Sequence, residues 1–73
     1  MMVPENLGER IQNALDVRGM TQADLVRLTG MSSAIISQIV SGKTPDPRFM
    51  TVVKIARALD VSLEYLAGRK YER

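Results

Sequence analysis

Few side chains in this sequence could do chemistry. It contains no histidine and no cysteine, so the commonest general base, the commonest metal ligand and the thiolate nucleophile are all missing. Asp16, Asp24, Asp60 and Glu64 each fit a helix end or an exposed face rather than a convergent cluster. There is no glycine-rich phosphate loop. These features point away from an enzyme and imply no cofactor or metal site. What the chain offers is hydrogen bonding. At about 100° per residue, Ile36, Ile39 and Val40 share one face of a helix, and Ala34, Ser37, Gln38 and Ser41 share the other, with Ser33 at its leading edge. A solvated face ordinarily holds Lys, Glu and Arg. The serines of the outer face are weak helix formers, yet a face of small and amide side chains permits close approach and hydrogen bonding to base edges. A surface of small residues with no partner is the plain alternative.

Such a face needs a scaffold, and the flanking residues predict one made only of helices. Leu7, Ile11 and Ala14 recur at helical spacing and Arg18 continues the row into solvent, which predicts a first helix from about Pro4 to Arg18, ended at Gly19. Thr21-Gln22-Ala23-Asp24 reads as a capping box that opens a second helix running to Thr29 and stopping at Gly30. Ser32 offers an N-cap for the third, Ser33 to Ser41, closed by Gly42. Asp46 as N-cap and Pro47 as first helical residue predict the fourth, striped with Val52, Ile55, Ala56 and Leu59. Ser62 caps a short fifth helix with Leu63 and Leu66, ended by Gly68; the tail Arg69-Lys70-Tyr71-Glu72-Arg73 is expected to fray. With 73 residues, the reading is one compact all-α domain over residues 1–73, ordered from about 5 to 68, with an economical core. No apolar run approaches the roughly 20 residues of a membrane span. The N-terminus lacks the pattern of a signal peptide, and the absence of cysteine fits the cytoplasm.

The second and third helices are joined only by Gly30-Met31-Ser32. Two short helices joined by a glycine-containing turn of about 3–4 residues define a helix-turn-helix. From turn length alone, an ordinary helix hairpin is as good a reading. The uncharged face of the third helix favours the DNA-reading version. Net charge gives little help, since +2 is a weak lean toward a polyanion.

The stretch TQADLVRLTGMSSAIISQIVSGK, with LGERI upstream and IARALDVSLEYL downstream, resembles the Cro/lambda-repressor type of helix-turn-helix domain, also called the xenobiotic-response-element family. The resemblance covers about Leu7 to Gly68. It implies a compact five-helix, lambda-repressor-like fold that binds double-stranded DNA, usually as a homodimer on a pseudo-palindromic operator. It further implies a Cro-like repressor in the cytoplasm, associated with the nucleoid. By position, it gives base contacts to Ser33, Ala34 and Gln38. Backbone contacts fall to Thr21, Gln22, Ser37 and Ser41, and to Lys43, Thr44 and Arg48 in the following loop. Gln can pair bidentately with adenine, and Ala34 can meet only an apolar group such as a thymine methyl. Ile35 projects outward where the family often has a polar residue, and could meet a thymine methyl or a protein.

The chain also departs from the family. Thr44-Pro45-Asp46 lengthens the loop by about one residue and puts Pro and Asp where relatives often carry a cation. Leu15 and Val40 replace an Arg and a Glu, a paired loss of charge that can be neutral or stabilising. Helix five is too short to need Leu63, Tyr65 and Leu66 all internally, so part of this surface, with neighbouring loop residues, is expected to form a two-fold interface. An antitoxin or other protein-interaction module of the same fold, bound to a toxin-like partner, is the alternative.

Overall fold

Helices form where local caps coincide with apolar spacing. The structure is a computed structural model, and residues 6–67 are described. Within them lie α1 (Leu7–Arg18), α2 (Gln22–Thr29), α3 (Ser33–Ser41), α4 (Phe49–Leu59) and α5 (Leu63–Ala67), with no strand among the described residues.

The cap of α1 departs from the expected start near Pro4, which lies outside the described residues. Asn6 is extended, and its side chain accepts the Glu9 N–H at 2.8 Å. An N-cap residue has non-helical backbone by definition, so the helix begins at Leu7. In α2 the capping box forms as read. The Thr21 hydroxyl accepts the Asp24 N–H at 3.2 Å, and the Asp24 carboxylate accepts the Thr21 N–H at 2.9 Å. Ser32 accepts the Ile35 N–H, and Ser62 the Tyr65 N–H.

The expected start of α4 is corrected. Asp46 does not cap it and Pro47 is not its first residue; Arg48 is the N-cap, without a side-chain cap bond, and the helix begins at Phe49. The loop bends back first, with the Thr44 N–H donating to the Gln38 carbonyl at 3.0 Å. Pro45 and Pro47 line a cleft instead of entering the helix. The apolar stripe starts at Val52, whose N–H donates to the Arg48 carbonyl, so the helix needs only one turn before it. At the other end Asp60 takes the left-handed conformation, φ 57°, where glycine is usual. Arg18 steadies it. Its guanidinium donates to the Asp60 carbonyl at 2.9 Å and lies 4.0 Å from its carboxylate, instead of pointing freely into solvent.

One core gathers Ile11 and Leu15 from α1, Leu25 from α2, Ile36 and Ile39 from α3, Ile55 and Leu59 from α4, and Leu66 from α5, each at most 2% exposed. Burying each such side chain contributes roughly 1.5–3 kcal/mol. Helix α1 packs on α3, α4 and α5, α2 on α3 and α4, and α4 on α5. Val40 packs half-buried at the edge of this core. The expected ends of the ordered region near residues 5 and 68, the Gly68 cap and the tail lie outside the described residues.

Candidate nucleic-acid interface

The core fixes one face of α3, and what remains outside follows. Ile36 and Ile39 are buried, so the opposite face turns out. Ser33, Ala34, Ile35, Ser37, Gln38 and Ser41 are all exposed. No charged residue lies in either terminal turn of the helix. The side chains of Ser33, Ser37 and Gln38 make no hydrogen bond among the described residues, which leaves Gln38 with a carbonyl acceptor and an amide donor to offer. Ser41 differs: its hydroxyl donates to the Gln38 carbonyl at 3.2 Å and accepts the Lys43 N–H at 3.4 Å. It spends its polarity on the end of the helix.

The turn before α3 is closed by local hydrogen bonds. Gly30 ends α2 at φ 73°, where a side chain is disfavoured, and donates its N–H to the Val26 carbonyl at 2.9 Å. The Thr29 hydroxyl donates to the Leu25 carbonyl at 2.7 Å and accepts the Met31 N–H at 3.2 Å. Met31 packs on the core, and Ser32 is extended. Three residues therefore set the angle between α2 and α3.

The residues read as phosphate contacts divide. Gln22 is half-buried at the first position of α2, beside free backbone N–H groups that favour an anion. Thr21 uses its oxygen as acceptor in the capping box, which leaves its O–H able to donate. The neighbouring Asp24 carboxyl is held below its ordinary range, first by the Thr21 backbone N–H and then by Arg27. Arg27 meets it at 2.7 Å, so this carboxylate is matched by a cation at the N-terminal end of α2. Lys43 is exposed in the loop, Thr44 is half-buried, and Arg48 is exposed at the start of α4. The structure thus keeps Lys43 and Arg48 on one short segment leaving α3.

Two contacts were not legible in the sequence. The Asn13 amide donates to the Tyr65 hydroxyl at 2.7 Å, and the Arg10 guanidinium stands 6.0 Å over the Tyr65 ring. They tie α5 to α1. Leu66 is buried at 1% exposure. Of the three apolar groups on α5 expected at a two-fold interface, Leu66 belongs to the core and Tyr65 is engaged by α1. Only Leu63 faces out.

A short helix with an uncharged hydrogen-bonding face, held to a capped partner helix by a fixed three-residue turn, defines the helix-turn-helix class. The comparisons with known proteins agree. The model of the family described as a helix-turn-helix domain matches residues 8–72, and the chain belongs to that family, in its Cro/lambda-repressor type. It is similar to the HTH-type transcriptional regulator for conjugative element SXT of Vibrio cholerae, 41% identical over 63 residues, covering 86% of this chain and 28% of that protein. The HTH-type regulator for conjugative element R391 of Providencia rettgeri matches to the same extent. The HTH-type transcriptional repressor RghR of Bacillus subtilis is 36% identical over 67 residues, covering 88% of this chain and 50% of that protein. The chain thus spans between about a quarter and a half of these relatives' length. No solved structure matches it.

Proposed function

We propose that this chain is a sequence-specific, DNA-binding transcriptional regulator that acts as a repressor. It places the outward face of α3 in the major groove and binds as a homodimer on a pseudo-palindromic site. The observation that carries this reading is the outer face of α3, where exposed Ser33, Ala34 and Gln38 stand without charge and without polar partners among the described residues. Gln38 pairs with adenine, Ala34 meets a thymine methyl and Ser33 adds a less discriminating bond. Thr21, Gln22, Ser37, Lys43 and Arg48 position the domain on phosphates. Ser41 and Thr44 act mainly by shaping the loop that carries Lys43. Relatives named as transcriptional regulators and as a repressor support the assignment. No helix among the described residues is long and apolar enough to cross a membrane, in keeping with action at the nucleoid.

Selection of bound sequences from a random DNA pool tests the proposal. Enrichment of a two-fold symmetric site with half-site centres about 34 Å apart is the expected result. A pool that stays unordered defeats it. The reading as an antitoxin-like interaction module, which the exposed Ile35 also suits, would then lead.

A further inference from the structure

A cleft of about 360 Å³ lies between the α3–α4 loop and α5. Pro45 and Pro47 of the loop, Phe49 and Val52 of α4, and Leu63 and Leu66 of α5 line it. Two of these side chains stand in water, Phe49 at 68% exposure and Leu63 at 37%. Exposed apolar side chains gathered at a concave site mark a surface that something covers. Asp46 is the only charged residue in the lining. It is exposed and has no ion pair or hydrogen bond among the described residues. Ala67, where α5 ends, belongs to the wall as well, so the chain passes into residues 68–73 from the cleft itself.

We propose that residues 68–73, Gly-Arg-Lys-Tyr-Glu-Arg, fold back over this cleft as a strap, with the Tyr71 ring in the cleft and Arg69 and Lys70 against Asp46. Three observations select this segment as the occupant. The first is reach. Tyr71 is four residues past Ala67, a span of up to about 14 Å, which exceeds the breadth of a cavity of 360 Å³. Gly68 stands where the chain must reverse, and glycine does so at little steric cost. The second is charge. The segment holds three of the chain's ten basic residues in six positions, and the lining holds one unpaired carboxylate. Residues 1–5 adjoin the cleft through Leu7 but would bring Glu5 toward Asp46, and like charges repel. The third is shape. An open apolar cleft suits a side chain with an apolar body and a polar tip, and Tyr71 is the one aromatic residue of the segment. An exposed ion pair contributes little by itself, but the tether gives the ring an effective concentration that a separate molecule would not have. The strap covers Phe49 and Leu63 against other proteins. It also offsets the charge of Asp46 in the loop that carries Lys43.

The chain has no tryptophan and no cysteine, so single reporters can be placed in it without background. In Tyr71→Trp the indole should emit to the blue of a free tryptophan peptide and be quenched by acrylamide severalfold less. Adding Phe49→Glu, at a position exposed enough to keep the fold, should return both readings to solvent values while circular dichroism shows the helices intact. Adding Asp46→Lys should weaken the protection, and Arg69→Glu with Lys70→Glu should then restore it, because opposite charges face each other again. A nitroxide on Glu72→Cys gives a second readout that leaves Tyr71 in place. It should broaden the amide signals of Phe49 and Val52, and Tyr71→Ser should release them. Solvent-like emission from Tyr71→Trp in the otherwise unaltered chain overturns the proposal. So does broadening that Tyr71→Ser leaves unchanged, or a charge reversal that restores nothing. Protection that fades on dilution overturns it too, since the ring then sits in another copy. No DNA enters these measurements, so their outcome stands apart from that of the DNA-binding reading.

Discussion

Gly8 lies directly on the backbone of Val40. A Cβ built on Gly8 would stand 2.9 Å from the Val40 carbonyl carbon, closer still to its oxygen, and 2.7 Å from the Ile39 carbonyl oxygen. Real Cβ atoms do not come so near, and backbone atoms cannot swing aside as a flexible side-chain tip can. Glycine here sets the distance between α1 and the last turn of α3, and so the seat of the outward face.

Gly8→Ala should therefore destabilise the domain. In an exposed helix the change gains up to about 1 kcal/mol in propensity. Here overpacking outweighs it, and a net loss of about 1–3 kcal/mol is expected. Urea denaturation reads this as a lower midpoint with an unchanged slope. Equal or higher stability would show that α1 shifts off α3 at no cost.

The capping box gives the second prediction. Thr21→Ala should cost about 1 kcal/mol. Asp24 adds a pH dependence whose sign is fixed. Its carboxyl is held below the ordinary range by the Thr21 N–H, and further by Arg27, so the ionised form is favoured in the folded state. That stability is present above the unfolded-state pKa and is lost as pH falls through the lower, folded-state pKa. Wild-type midpoints should thus fall more steeply in acid than those of Asp24→Asn. Parallel curves would show that the carboxylate contributes nothing to the fold.

What could be read in the sequence was local. Thr21 and Asp24 are three residues apart, as are Ser32 and Ile35, so their bonds follow from helical geometry alone. The buried stripe of α4 and the outward face of α3 are likewise consequences of period. What could not be read involved distance or competition. Asn13 and Tyr65 are 52 residues apart, and neither type announces the other. Asp46-Pro47 is a sound helix start by type, yet the bond from Thr44 to the Gln38 carbonyl and the packing of both prolines at the cleft delay the helix to Phe49. Asp60 occupies a left-handed cap that glycine would fill more easily, and only Arg18, 42 residues away, explains what steadies it. The base and phosphate assignments came from the family resemblance, because an exposed Ser or Gln carries no mark of its partner.

Arg48 should separate stability from binding. It is the N-cap of α4 but gives the helix no side-chain bond, and its charge opposes the helix dipole. Arg48→Asp supplies both an acceptor and a favourable charge, so a gain of about 0.5–1 kcal/mol is expected in thermal or urea unfolding. In the proposed complex the same change removes a phosphate contact and adds repulsion, so DNA affinity should fall. A variant that is more stable and binds as well as wild type would remove Arg48 from the interface.

Gln38 and Lys43 should divide the proposed labour of recognition. Gln38 is the one residue on the outward face of α3 that combines reach with both a donor and an acceptor, and its side chain is uncommitted within the described protein. Ser33 is shorter, Ala34 is limited to apolar contact, and Ser41 is engaged with the Gln38 carbonyl. Gln38→Ala should cost about 1–3 kcal/mol on the preferred site and relax the choice at one base pair per half-site. Lys43 reaches out as a point charge from a loop anchored by the Ser41 hydroxyl and by the bond from Thr44 to Gln38. Lys43→Ala should weaken binding to all sequences alike and reduce the slope of log affinity against log salt by about one phosphate's worth. Measuring both variants by selection and by salt titration separates base reading from backbone clamping. Unchanged base preference in Gln38→Ala would move recognition off this face of α3. An unchanged salt slope in Lys43→Ala would place the loop away from the phosphates.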